Sequence, residues 1–114
     1  MSDIHAVAPP AGAVAVIFIS RRNQSDPEGY DAASAAMDEE AARQPGYIAI
    51  ESVREPGGEG ITVSLWEDEA SALAWRDHAA HAAIRARGRA DWYDRYHVIV
   101  ATVTRDYRWA RREG

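Results

Sequence analysis

Two segments constrain this chain more than any others. Ala13–Ser20 (AVAVIFIS) and Val98–Thr104 (VIVATVT) are apolar at nearly every consecutive position rather than at alternate ones. Successive side chains of a strand point to opposite faces, so each segment reads as a strand that is apolar on both sides. A sheet containing them has to be covered twice.

The chain between them is punctuated clearly. Arg21–Ser25 is polar loop, and Asp26-Pro27 is a helix start, with Asp as N-cap and Pro at the first helical position. The helix is expected to run to about Arg43, where Pro45-Gly46 ends it. Tyr47–Arg54 and Ile61–Trp66 read as strands joined by the turn Pro56-Gly57-Gly58-Glu59-Gly60. In the second of these, Ile61, Val63 and Leu65 alternate with Thr62, Ser64 and Trp66. Asp68 caps the next helix, which carries Leu73 and Trp75; helical character resumes or continues through Ile84 and Arg87 and is expected to end at Gly88. The aromatic segment Trp92–Tyr96 leads into the last strand.

The order β-α-β-β-α-β predicts an α+β, ferredoxin-like domain with a four-stranded antiparallel sheet and both helices on one face. Two helices cover only one face, so the other calls for a second copy of the chain, and a homodimer is expected. The 114 residues suit one domain. Its extent is read as 13–107, with a loose N-terminal arm over 1–12 and a C-terminal tail over 108–114.

Composition removes several function classes. The net charge of −5 argues against a nucleic-acid partner, which needs a coherent basic face. Arg105, Arg108, Arg111 and Arg112 read as a solvated tail. The longest apolar run, Ala13–Ile19, is far too short to cross a membrane, and no leader peptide is apparent, so a cytoplasmic location is expected. There is no Cys, which excludes thiolate chemistry and Cys-ligated metals. All 13 basic residues are Arg, so no Lys is present for Schiff-base chemistry. The glycines at 57–60 lie in a hairpin rather than before a helix, so they form no phosphate cradle.

From Trp66 onward the chain resembles the antibiotic biosynthesis monooxygenase superfamily, and more narrowly its heme-degrading-monooxygenase-like bacterial branch. The resemblance rests on Trp66, Glu69-Ala70, Trp75-Arg76, His81, Gly88-Arg89, Trp92-Tyr93 and the turn Gln44–Tyr47, and extends over about residues 13–107. It implies a dimeric α+β barrel. Some members oxidise polycyclic phenols with O2 and no cofactor, and others bind and cleave heme. The heme-degrading pattern places an Asn where this chain has Ser20 and a His where it has Arg85, while its Trp matches Trp75.

The residues that could carry chemistry each have a plainer reading beside the functional one. His81 is the expected general base for a phenol, or an axial ligand; otherwise it bonds a neighbouring carboxylate. Trp75 stacks on a flat substrate or anchors the core. Arg76 and Arg89 hold an anionic group or form surface ion pairs. His78 lies one turn from His81, and the pair lacks a third metal ligand. Thr62 and Ser64, on the face shared with Trp66, offer polar contacts in an apolar pocket. Trp92, Tyr93 and Tyr96 wall a cavity or fill a dimer seam. Trp66 and Leu73 are expected in the core, and His5 and His97 are expected to be incidental.

The expected function is therefore cofactor-independent oxidation of a small aromatic or quinol-like molecule. His81, Trp75 and Arg76 are the catalytic candidates, and Ser20, Ser64, His78, Arg89, Trp92 and Tyr93 are the binding candidates. No resident metal or cofactor is expected. The rivals are a heme binder or degrader and a non-catalytic dimer that binds a small ligand.

Overall fold

A computed structural model describes residues 4–23, 25–56 and 58–112 of the chain. It contains β1 (Val14–Arg22), α1 (Pro27–Ala42), β2 (Tyr47–Arg54), β3 (Glu59–Trp66), α2 (Glu69–Asp77), α3 (Ala79–Arg87) and β4 (Tyr93–Thr102). The sheet order is β2-β3-β1-β4, and every neighbouring pair is antiparallel. This is the ferredoxin-like α+β fold expected from the strand order.

The helix starts follow local chemistry. The Asp26 carboxylate accepts the backbone N–H of Gly29, with Pro27 next in line, and the Asp68 carboxylate accepts that of Ser71. The β2–β3 turn closes through Gly58, whose φ of 108° favours glycine.

Register assigns the faces of the sheet. Val14, Val16, Phe18, Ser20 and Arg22 of β1 share a face with Thr62, Ser64 and Trp66 of β3. The core lies at one end of that face, where Val14 and Trp66 pack with Ala41, Ala72 and Trp75. Trp66 has no exposed surface, and its indole N–H donates to Ser64 Oγ at 3.0 Å. Farther along, Val16, Phe18 and Thr62 are only half-buried although they sit on the two central strands, so the helices leave the middle of the face partly open.

The opposite face carries Ile17, Ile19, Val63, Ile61, Val53 and Ile99 in facing register. Val53 is 66% exposed, and Ile61 and Ile99 are also exposed. The apolar-on-both-faces reading of β1 thus has a direct counterpart in the structure.

Three local expectations are corrected, and one left open is decided. Leu73 is not core: it is 41% exposed, because Ala72 and Trp75 take the inward positions of α2. Between the two readings left open for the second helical stretch, helical character resumes: α2 and α3 are separated at His78, whose ψ of 133° is extended. Gly88 does not stop α3; it keeps helical angles and leads into a π-helical turn over Gly88–Trp92. A Cβ on Gly88 would come within 2.8 Å of the Tyr93 ring, so the glycine serves close approach rather than termination. The last strand starts at Tyr93, taking the aromatic segment into the sheet.

Candidate active site

The break at His78 prepares the first candidate group. In an unbroken helix the Trp75 carbonyl would accept from residue 79. Here it accepts the His78 N–H at 3.1 Å and also stands 3.1 Å from His81 Nδ1. A carbonyl only accepts, so His81 Nδ1 carries the proton, and in the neutral ring the lone pair is on Nε2. The His81 ring stacks on the Trp75 indole at 4.6 Å and 10°, and Trp75 in turn stacks on Trp66 at 6.0 Å and 25°. Burial holds the His81 pKa below the ordinary 6.5; the Trp75 carbonyl opposes this, while the positive charge of Arg85 and neighbouring His78 reinforce it. His81 is therefore an oriented, neutral imidazole on an aromatic stack.

His78 sits at the same break. Its Nε2 is 3.7 Å from a Glu40 carboxylate oxygen, and its Nδ1 is buried without a hydrogen-bond partner among the described residues. Among the described residues, no three His, Cys, Asp or Glu side chains are grouped to hold a metal ion. Arg76 is not brought to His81: it is exposed and pairs with Asp77. Ser64 is occupied by the Trp66 indole. A shallow hollow of about 240 Å³ reaches Trp75 from the outside, between Gln44, Asp68 and Ser71.

The remaining predicted residues gather at the other end of the helix-facing side. Gly60 of β3 separates the two ends from Trp66 by six residues, roughly 20 Å of strand. Arg54 of β2 crosses over Gly60 to reach β1, where its Nη2 donates to Ser20 Oγ at 2.8 Å and to the Tyr30 hydroxyl at 3.1 Å. Its Nη1 donates to the Gly58 carbonyl at 2.5 Å. A Cβ at position 60 would stand 2.6 Å from the Arg54 guanidinium carbon, so glycine is what lets this arm cross.

Between Arg21 and Arg22 the pairing of β1 with β4 slips, from Arg21↔Arg95 to Arg22↔Tyr93. The extra residue turns Tyr93 onto the helix-facing side, where it meets Phe18 at 5.4 Å and Tyr30 at 5.9 Å. The Tyr93 hydroxyl donates to that of Tyr30 at 3.4 Å. Burial raises the Tyr93 pKa, and the Tyr30 hydrogen bond adds to this; the charges of Arg54 and Arg22 oppose it without prevailing. Trp92 is buried edge-on to Tyr30 at 5.7 Å. Arg89 donates to the Tyr96 hydroxyl at 3.1 Å on the exposed rim.

Arg22, Arg54 and Tyr30 were not among the residues singled out in the sequence. The signal was available: the alternation Val14, Val16, Phe18, Ser20 continues to Arg22 once β1 is allowed two more residues. The apolar run ended at Ser20, and the polar Arg21-Arg22 pair read as loop.

The sequence pattern described as "Antibiotic biosynthesis monooxygenase" matches residues 14–87. An uncharacterized Bacillus subtilis protein, YqjZ, is 42% identical over 105 residues, which is 92% of this chain and 91% of that one. The jasmonate monooxygenase ABM of Pyricularia oryzae is 32% identical over 97 residues. That alignment takes in 82% of this chain but 45% of the fungal enzyme, so the chain spans less than half of its length. Among solved structures, SnoaB, a cofactor-independent oxygenase from Streptomyces nogalater, superposes with a TM-score of 0.72 at 16% identity, covering 84% of this chain and 97% of SnoaB. Rv0793 from Mycobacterium tuberculosis superposes with a TM-score of 0.69 at 17% identity, covering 86% of this chain and 99% of that one. These two likenesses concern the fold.

Proposed function

The chain belongs to the antibiotic biosynthesis monooxygenase family, and from that premise we propose that it oxidises an acidic, electron-rich aromatic or quinol-like molecule with O2, without a resident cofactor. The observation that carries this reading is His81. Its Nδ1–H is committed to the Trp75 carbonyl, and its burial disfavours the protonated form, which leaves Nε2 as a base near neutral pH.

The chemistry balances with these parts. Nε2 takes the phenolic proton, and the phenolate passes one electron to O2. Radical and superoxide combine at a ring carbon to form a C–O bond, and the resulting peroxide takes up the proton. Loss of the carbon-bound proton then breaks the O–O bond and releases water, leaving a quinone. One oxygen atom enters the substrate and the other leaves as water. Trp66 and Trp75 are buried in the core and Trp75 stacks on both Trp66 and His81, so the half-buried His81 ring at the end of the stack is the flat surface for the substrate to lie against. Arg85, one helical turn beyond His81 and near enough to act on its pKa, is the cation for the developing negative charge. It takes the part the sequence reading gave to Arg76.

The test is O2 uptake with a panel of naphthalene and anthracene hydroquinones. His81→Ala is expected to lower kcat by roughly 10²–10⁴-fold on any substrate found. Unchanged turnover would remove His81 as the base. A saturable hemin band lost on adding ascorbate would favour heme cleavage instead, and no uptake with any quinol together with no hemin band would favour a non-catalytic binder.

Self-association belongs to the same reading. Val53, Ile61 and Ile99 expose an apolar sheet face that a second copy would cover. Sedimentation equilibrium at micromolar concentration is expected to give twice the chain mass; a monomer would end this part of the proposal.

A further inference from the structure

Among the described residues, Arg22 has more buried, unpartnered nitrogens than any other side chain. It is 9% exposed, and its Nε and Nη2 are buried with no hydrogen-bond partner among the described residues. Its guanidinium carbon lies 3.8 Å above the Tyr30 ring, and that of Arg54 lies 5.5 Å from the same ring. Among the described residues, neither arginine is ion-paired: Glu59 goes to Arg21 and Arg95, and Asp26 and Asp91 go to Arg87. A face of one aromatic ring recovers only part of what a guanidinium loses on leaving water. Two positive charges thus lie against one half-buried ring, and one of them has two nitrogens, with three N–H bonds between them, unspent.

We infer that Arg22 and Arg54, with the Tyr30 and Tyr93 hydroxyls, form an anchoring subsite for the carboxylate of an aromatic acid. The planar donor fork of Arg22 matches a carboxylate. The walls are rings: Phe18 meets Tyr93 at 5.4 Å and stacks on Tyr96 at 5.3 Å. They favour a flat apolar body behind the anionic group over a compact, fully hydrated ion. The half-buried Val16 and Phe18 lead along β1 from the Trp75 end toward this one. A substrate oxidised near His81 and held here by its acid group has to span most of the roughly 20 Å between the two ends, so the role of substrate anchor rests on the oxygenase reading and on an extended polycyclic substrate. The binding itself does not.

The experiment is calorimetric titration of the full chain with 1-naphthoate, its neutral amide 1-naphthamide, and inorganic phosphate, with no turnover involved. Saturable naphthoate binding is expected, at least tenfold tighter than naphthamide. Arg22→Met is expected to weaken naphthoate at least tenfold while leaving the thermal midpoint of the ligand-free protein unchanged or raised, because an uncompensated buried charge is replaced by an apolar chain of similar length. Arg22→Lys keeps the charge without the fork and is expected to fall between. Equal binding of acid and amide, or no binding of either, would overturn the inference. So would full affinity in Arg22→Met, or a lowered midpoint in that variant, which would make Arg22 a structural residue. Displacement of naphthoate by phosphate at equal concentration would overturn the choice of an organic acid. Loss of naphthoate binding with His81-dependent O2 uptake intact would leave the oxygenase reading standing, and the reverse result would leave the subsite standing.

Discussion

The two ends of the helix-facing side of the sheet are built on opposite principles. At the Trp66 end, apolar groups fill the space between α1, α2 and the sheet; the indole N–H goes to Ser64 and the Trp75 carbonyl to His78 and His81, and His78 Nδ1 is the one polar atom named there that has no partner among the described residues. At the Arg22 end, two guanidinium groups are drawn against the Tyr30 ring, and part of the donor capacity of Arg22 is left over. The first end supplies stability and orients a neutral imidazole. The second carries charge that the fold itself leaves without a counter-ion among the described residues, which is how a binding site differs from a core.

Mutation should separate the two ends sharply. The largest effect is expected from Trp66→Ala, which empties the centre of the core; chemical denaturation should show a loss of about 3–5 kcal/mol. A loss near that for the surface variant Leu73→Ala would mean that the core is elsewhere. Arg22→Met, by contrast, is expected to leave stability intact and remove affinity, so the pair of variants breaks the comparison if both behave alike.

The smallest expected effect is on pH dependence, and it belongs to the Trp66 end alone. The folded state holds the His81 pKa below the ordinary 6.5, so the unfolded chain binds its proton first on acidification. The stability contribution is fully present above pH 6.5 and is lost as pH falls from there through the lower folded value. Thermal midpoints measured across that window should fall more steeply for the wild type than for His81→Gln, and Arg22→Met should follow the wild type. Parallel slopes in wild type and His81→Gln would show that burial of His81 is not linked to folding.

Much of this architecture follows from the residues taken in order. Asp26-Pro27, Pro45-Gly46, the Gly-rich hairpin and Asp68 act locally, through caps and turns whose geometry needs no distant partner, and the elements fall where they indicate. The two-faced apolarity of Ala13–Ser20 likewise dictates a sheet with two faces to hide. His81 and Trp75 stand out one by one in the sequence, but positions six apart on an unbroken helix lie on different faces, so their stacking follows from the break at His78.

What only the tertiary structure decided lies where distant segments meet. No Gly or Pro marks the break at His78, yet that break frees the Trp75 carbonyl for His81. The slip opposite Arg22 turns Tyr93 inward, and Gly60 lets Arg54 cross to Ser20; neither is visible until the strands are paired. Local propensity and alternation depend on neighbours a few residues away, and the sequence displays those. The arginine pocket depends on four strands, a helix start and a π turn converging from opposite ends of the chain, and such contacts exist only once the sheet has closed.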